Sequence, residues 1–137
     1  MRTAVDSSVL LDVLIADPRF ADASEEALQR AAREGALMVC ECVLAEITPA
    51  VGAANIDEFL TDWNVAFVPS TAESARLAGE MFAGYLRRSP RPGGRVVPDF
   101  LIGAHAACLA DRLLARDRGY YRDHFKKLRV FDPTSSR

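Results

Sequence analysis

Acidic residues just past apolar segments are the side chains of this sequence best suited to chemistry. Asp6 follows the apolar run TAV, and Asp117 follows LLA with one residue between. Either Glu41 or Glu46 supplies a third acid past the run ALMVC, and Asp99 begins a strongly apolar helix. Carboxylates that converge repel one another unless they share a proton or hold a divalent cation. Because carboxylate oxygens select hard ions over zinc, this pattern predicts a Mg²⁺ or Mn²⁺ site.

Each acid alone also fits a purely structural role. Aspartates at strand ends commonly cap helices, and Asp99 could stabilise a helix N-terminus through the helix dipole. The alternative function is therefore a catalytically silent module that binds nucleic acid or protein. Five further acids are predicted to be solvated or capping residues: Asp12, Asp17, Glu25, Glu26 and Asp111.

The elements that must position these acids alternate between strands and helices. Strands are predicted for TAV before Asp6 and over residues 36–40, 65–68, 113–115 and 128–131. Helices are predicted after residues 6–8 up to 15, then over 17–35, 43–49 or 43–52, 55–63, 71–85, 98–110 and 120–127. This alternation favours an α/β fold with a mostly parallel sheet of about four to five strands. Sites in such sheets lie beyond the carboxyl ends of the strands, where the acids are.

Length and composition indicate one domain over residues 1–137. Half of the residues are hydrophobic and 26% are charged, which argues against disorder. No apolar run approaches the ~20 residues of a membrane span. Asp6 and Asp12 interrupt the apolar N-terminal stretch, so it is predicted to be neither a signal peptide nor an anchor. The three cysteines are expected to be reduced thiols in a cytoplasmic protein.

Charge is distributed unevenly along the chain. Residues 1–83 contain five basic and fourteen acidic residues, whereas residues 84–129 contain eleven basic and four acidic ones. The segment YLRRSPRPGGRVVPD is predicted to be a mobile basic loop that could contact phosphate: Arg87, Arg88, Arg91 and Arg95. The alternative is that the solvated helix faces simply differ in charge.

Other catalytic patterns are absent from the sequence. It contains no G-x-G-x-x-G, no G-x-x-x-x-G-K-[ST] and no G-x-S-x-G motif, which argues against dinucleotide, P-loop and nucleophile-elbow chemistry. A Mg²⁺-dependent phosphohydrolase could use Asp6 as its nucleophile, but the sequence Asp6-Ser7-Ser8 lacks the second aspartate expected two residues on.

Two segments near the candidate acids carry further ambiguous residues. His105 lies six residues after Asp99, about 120° around the helix, and is predicted to be a core histidine. Gly103 could leave room for substrate or permit close helix packing. Tyr120, Tyr121 and Phe125 could stack on bases, although a core or lid role is favoured.

Four segments in order resemble the PIN-domain ribonucleases, and among them the VapC-type toxins of bacterial toxin–antitoxin pairs: TAVDSSVLLDVL, VLAEI, VPDFLIGAHA and LLARDRGYYRDHF. The resemblance implies a compact three-layer α/β/α domain that binds Mg²⁺ or Mn²⁺ and cleaves RNA. It places the family's catalytic and metal-binding acids on Asp6, Glu46, Asp99 and Asp117, and ranks Glu46 above Glu41. Ala115 departs from the threonine that is common at its position.

The resemblance also implies a mechanism and partners. Metal-activated water would hydrolyse the RNA phosphodiester bond, and no protein nucleophile is required. Ser8, Arg116 and Arg118 are the candidate substrate-binding residues. A small VapB-like antitoxin and a homodimer are the expected protein partners. The apolar residues of the first helix offer an independent reason to expect a dimer: Val9, Leu10, Leu11 and Leu14.

Overall fold

Five parallel strands form the centre of the chain in a computed structural model that describes residues 1–88, 97–117 and 120–135. The strands are β1 (Arg2–Val5), β2 (Ala36–Val39), β3 (Val65–Phe67), β4 (Arg112–Leu114) and β5 (Val130–Phe131). Their order in the sheet is β3-β2-β1-β4-β5, and every pair is parallel. The chain therefore changes direction across the sheet at β1 and β4, and sites of open α/β sheets lie at such a switch point.

Seven helices are found in the described part of the chain and complete the predicted three-layer α/β/α architecture. They are α1 (Ser7–Leu14), α2 (Ala21–Glu34), α3 (Glu41–Val51), α4 (Ile56–Asp62), α5 (Ala72–Arg88), α6 (Val97–Leu109) and α7 (Tyr120–His124). Helix α6 packs most extensively against α5 and also contacts α3, β1 and β4. Its central position agrees with its almost uniformly apolar sequence, because such a helix must be buried on all sides.

The predicted element boundaries need corrections that have local causes. Helix α2 begins at Ala21 because the Asp17 carboxylate accepts hydrogen bonds from the Arg19 and Phe20 amides and forms a turn first. Thr71, where the predicted helix over 71–85 starts, caps α5, since its hydroxyl accepts from the Ser74 amide.

Helix ends account for the remaining differences. The helix predicted over 55–63 is shorter, because α4 begins at Ile56 and ends at Asp62, and Asn55 makes no side-chain cap. Helix α7 ends at His124, not at residue 127. Arg87 and Arg88 belong to the last turn of α5 rather than to a loop. Three predicted basic residues lie outside the described ranges: Arg91, Arg95 and Arg118.

The core accounts for the apolar residues of the first helix. Val9 and Leu10 are fully buried, and Leu11 and Leu14 pack against the core from its edge. Leu11 and Leu14 keep some exposed surface, and the homodimer expected from this helix stays a prediction. Among the described residues, we find no helix with the length and apolarity to cross a bilayer.

The two ambiguous residues of α6 are structural. His105 is buried, and its Nε2 atom lies 2.7 Å from the Val68 carbonyl oxygen. A Cβ atom on Gly103 would collide with the Phe125 ring, so this glycine permits close packing rather than space for substrate. Tyr121 and Phe125 are also buried in the core.

Candidate active site

Asp6 lies at the switch point of the sheet and is held on both carboxylate oxygens. Its amide donates to the Leu114 carbonyl at 2.9 Å, which joins the end of β1 to the end of β4. Its Oδ2 atom caps α1 by accepting hydrogen bonds from the Ser8 amide at 3.2 Å and the Ser8 hydroxyl at 2.5 Å. The Tyr121 hydroxyl donates to Oδ1 at 3.1 Å. Only 7% of Asp6 is exposed, so these donors compensate a buried charge.

Glu46 is tied to the same corner of the fold. The Ser7 hydroxyl donates to Glu46 Oε1 at 2.8 Å, which links α3 to the residue that follows Asp6. Glu41 lies five residues earlier, about 140° around the axis of α3. Its Oε1 atom accepts from the Ser70 amide at 2.8 Å, beyond β3. This arrangement supports Glu46 over Glu41 as the site residue.

The negative charge of Asp99 acts on two acids that come from other segments of the chain. Burial raises the pKa of Asp6, hydrogen bonds from Ser8 and Tyr121 oppose the rise, and the negative charge of Asp99 adds to it. Burial also raises the pKa of Glu46; the Ser7 hydrogen bond opposes this, and the charges of Asp6 and Asp99 raise it further. Since such coupling needs proximity, Asp99 at the start of α6 faces the same region as Asp6 and Glu46.

Asp117 is connected to Asp6 through Tyr121 and is already engaged by the backbone. Its Oδ1 atom accepts from the Tyr121 amide at 3.0 Å, and Oδ2 accepts from the Arg122 amide at 3.2 Å. The side chain is fully buried, and its own amide donates to Asp132 Oδ2 at 3.0 Å. Asp117 therefore holds the first turn of α7, which presents the Tyr121 hydroxyl to Asp6.

Arg116 is engaged by an acid that was predicted to be solvated. Its Nε and Nη2 atoms donate to the two carboxylate oxygens of Asp12 at 2.7 and 3.0 Å, and Ser24 donates to the same carboxylate at 2.7 Å. Asp12 is only 2% exposed, so its prediction as a surface residue was wrong. A buried carboxylate needs such a partner. RNA contact by Arg116 stays a prediction, and that by Arg118 falls outside the described residues.

Three contacts of the site were not predicted from the sequence: Ser7 with Glu46, Tyr121 with Asp6, and Asp12 with Arg116. Asp12 had a signal, since an aspartate between Leu11 and Val13 interrupts an apolar helix and calls for a buried partner. The contacts of Ser7 and Tyr121 join residues far apart in the chain, and no local pattern reports them.

The donor set suits a hard divalent cation. It consists of carboxylate oxygens, and their mutual repulsion would be relieved by a positive ion. Within the three described ranges, no three His, Cys, Asp or Glu side chains are already grouped closely enough to hold an ion. Glu46 Oε1 and Asp6 Oδ1 are instead hydrogen bonded to Ser7 and Tyr121. Ion binding therefore requires side-chain adjustment at a site whose chemistry fits.

Comparison with known families identifies the class of protein. The sequence model of the PIN domain family matches residues 3–125, and the chain belongs to that family. The family resemblance inferred from the sequence is confirmed. No curated protein sequence matches this chain.

Solved structures share the fold over nearly the whole chain. VapBC2 from Rickettsia felis, solved bound to a promoter DNA fragment, is 19% identical with a TM-score of 0.71 and covers 96% of this chain and 98% of its own. VapBC-1 from nontypeable Haemophilus influenzae is 16% identical with a TM-score of 0.67 and covers 98% and 100%. DNA-bound VapBC from Salmonella typhimurium is 16% identical with a TM-score of 0.64 and covers 97% and 98%. At these identities the likeness shows the fold.

Proposed function

We propose that this chain is a metal-dependent endoribonuclease and the toxin of a type II toxin–antitoxin pair. The observation that carries the proposal is that the hydroxyl of Ser7, the residue after Asp6, donates to Glu46 and so brings acids of two distant segments to one corner of the fold. The charge of Asp99 raises the pKa of both acids. Asp6 and Asp99 follow or precede elements of a parallel sheet in a PIN fold, where sites lie beyond the carboxyl ends of the strands. The structural similarity to VapBC proteins supports the toxin assignment.

The roles of the residues follow from their contacts. Asp6, Glu46 and Asp99 would hold one or two Mg²⁺ or Mn²⁺ ions, and we propose that Asp117 completes the set after adjustment. A bound divalent ion supplies a water of lowered pKa and polarises the scissile phosphate. Hydrogen bonds from Ser8 orient the Asp6 carboxylate, and its burial keeps bulk water from screening the charge.

RNA must reach this negatively charged site with the help of basic side chains. Arg87 and Arg88 are exposed at the end of α5, and Arg88 Nη2 lies 3.4 Å from His124 Nδ1 on α7. We propose that this end of α5, with Ser8, Arg116 and Arg118, contacts the phosphates, because such contacts are electrostatic and independent of sequence.

The decisive experiment measures cleavage of RNA by purified protein with Mn²⁺. Asp6→Asn and Asp99→Asn should each reduce the cleavage rate at least about 100-fold. Mutation of residues that only orient metal ligands already lowers metal affinity or activity by about 10–100-fold. Asp62 is exposed at the end of α4, so Asp62→Asn is the matched control and should cleave like the wild type. Circular dichroism checks the folds. Full activity of both site variants beside an active wild type would contradict the proposal.

A silent binding module is the second candidate. It is favoured by the internal hydrogen bonds that already occupy oxygens of Asp6, Glu46 and Asp117. Thermal unfolding with and without Mn²⁺ separates the two functions. The nuclease should gain stability with Mn²⁺ and lose activity to a chelator, whereas a binding module should do neither.

We propose an antitoxin and a second copy of this chain as protein partners. A VapB-like antitoxin would place a basic side chain over the acidic site, since Asp6 and Glu46 repel negative groups. Co-expression with a VapB-like antitoxin that binds this chain should suppress cleavage. Gel filtration across a wide concentration range should show a dimer, and a monomer throughout would contradict the homodimer.

A further inference from the structure

Arg116 and Asp12 form a geometrically complete ion pair next to the candidate site. The two guanidinium donors match both oxygens of the carboxylate, which is the bidentate arrangement that only arginine provides. The guanidinium also lies over the Phe20 ring, 4.1 Å from its centroid, and Ser24 completes the coordination of Asp12. Arg116 is thereby fixed in one conformation at the loop that follows β4.

The backbone of the same residue reaches the candidate site. The Arg116 amide donates to the Ser8 hydroxyl oxygen at 3.3 Å, and that hydroxyl donates to Asp6 Oδ2. A serine hydroxyl has one proton to donate and lone pairs that accept. Because the Arg116 amide donates to a lone pair of the Ser8 oxygen, the Ser8 proton is available for another acceptor. The Arg116 amide therefore directs the Ser8 proton to Asp6.

We propose that the Asp12–Arg116 pair is a positioning device that acts through Ser8 to orient the Asp6 carboxylate for its cation. This inference rests on the proposed function, because it assigns a role toward the ion of that site. Arg116 is then a positioning residue for Asp6, because its backbone amide donates to Ser8 while its guanidinium is held by Asp12.

A second arginine, at the start of the strand that Arg116 follows, offers a matched control. Arg112 begins β4, donates to Glu34 Oε1 at 2.7 Å and lies over the Phe131 ring at 4.8 Å. It thus repeats the acid pair and the ring contact of Arg116 at the opposite end of the strand. Loss of its pair should cost stability without reaching Asp6.

The test is a double-mutant cycle read by Mn²⁺ binding, with the free ion followed by electron paramagnetic resonance. Arg116→Lys keeps the charge but loses the bidentate pair, and it should weaken Mn²⁺ binding about 10-fold. Ser8→Ala should weaken binding by a similar factor. The double variant should bind no more weakly than Ser8→Ala alone, because both changes interrupt one path. Arg112→Lys should bind Mn²⁺ like the wild type.

The outcomes separate this inference from the proposed function. If the wild type does not bind Mn²⁺, or Asp6→Asn binds it equally well, the proposed function and this inference both fail. If Asp6→Asn loses binding but the effects of Arg116→Lys and Ser8→Ala multiply, only this inference fails. Equal weakening by Arg112→Lys would show a general loss of structure and overturn it as well. Asp12→Asn, combined with Ser8→Ala, repeats the cycle should Arg116→Lys fail to fold.

Discussion

Asp117 combines a structural contact with a proposed role as a ligand, and two substitutions separate the two. Its carboxylate accepts from the amides of Tyr121 and Arg122 at the start of α7. Asp117→Ala removes these acceptors and should lower the free energy of unfolding by about 1 kcal/mol, the usual loss for a helix cap. Asp117→Asn keeps an acceptor and should retain most of that stability.

Mn²⁺ binding then decides the second role of Asp117. If the carboxylate is a ligand, Asp117→Asn weakens Mn²⁺ binding although urea unfolding shows a near-normal stability. If it only caps α7, the affinity of Asp117→Asn stays at the wild-type value and the proposed ligand set reduces to three acids.

At the level of elements, α6 is fixed by a neutral histidine. Burial lowers the pKa of His105 below its ordinary value of 6.5, although the Val68 carbonyl and the charge of Glu41 oppose the shift. The neutral ring therefore contributes stability that is complete above pH 6.5 and is lost as the pH falls through the lowered pKa. Denaturation at several pH values should show this loss between pH 6.5 and the lower pKa.

The matched variant for this pH dependence is His105→Gln. The glutamine amide can still donate to the Val68 carbonyl, but it does not titrate. The loss of stability between pH 6.5 and the lowered pKa should therefore be present in the wild type and absent from His105→Gln. Parallel profiles for the wild type and His105→Gln would contradict the assignment.

Close packing of α6 against the segment after α7 gives a second prediction. Gly103→Ala should lower the free energy of unfolding by about 1–3 kcal/mol, because the added methyl collides with buried Phe125. Gly79→Ala in α5 is the control, since its Cβ would meet nothing within 4 Å. That variant should gain up to about 1 kcal/mol from the better helix former. Equal effects at both positions would contradict the packing argument.

The elements were predictable where local patterns suffice. The run ALMVC and the apolar helix after Pro98 were identified because buried strands and buried helices have characteristic lengths and compositions. The ends of the helices were less predictable. Helix α7 ends at His124 instead of residue 127, and α2 begins only after the turn that Asp17 stabilises. The neighbourhood of Asp6 and Glu46 followed from the family resemblance, whereas the contact of Ser7 with Glu46 depends on tertiary packing and no local pattern reports it.

In the whole molecule, part of the uneven charge along the sequence serves to join the two halves. Arg112 pairs with Glu34 and Arg116 with Asp12, each across more than seventy residues. Removing one partner of such a partly buried pair costs more than breaking an exposed pair, because the other charge is left without its partner. The basic excess of residues 84–129 is therefore used in part within the fold, and it overstates the positive surface open to RNA.

Because these ion pairs connect the two halves of the chain, we expect a single unfolding transition. Trp63, the one tryptophan of the sequence, packs against the core between α4 and β3, at the far edge of the sheet from β5. Its fluorescence and the far-ultraviolet circular dichroism should change at the same urea concentration, because small domains with one core unfold cooperatively. Separate midpoints would contradict a cooperative sheet.

The hydrogen bond from the Asp6 amide to the Leu114 carbonyl also has a consequence for biosynthesis. Leu114 leaves the ribosome 108 residues after Asp6, which takes roughly 5–20 s at about 5–20 residues per second. Throughout that interval β1 has no β4 beside it, and Ser8 has no Arg116 amide. A nascent chain therefore contains Asp6 long before the residues that hold Asp6 and Ser8 in place have been synthesised. The candidate site can form only after the segment around Leu114 and Arg116 has left the ribosome.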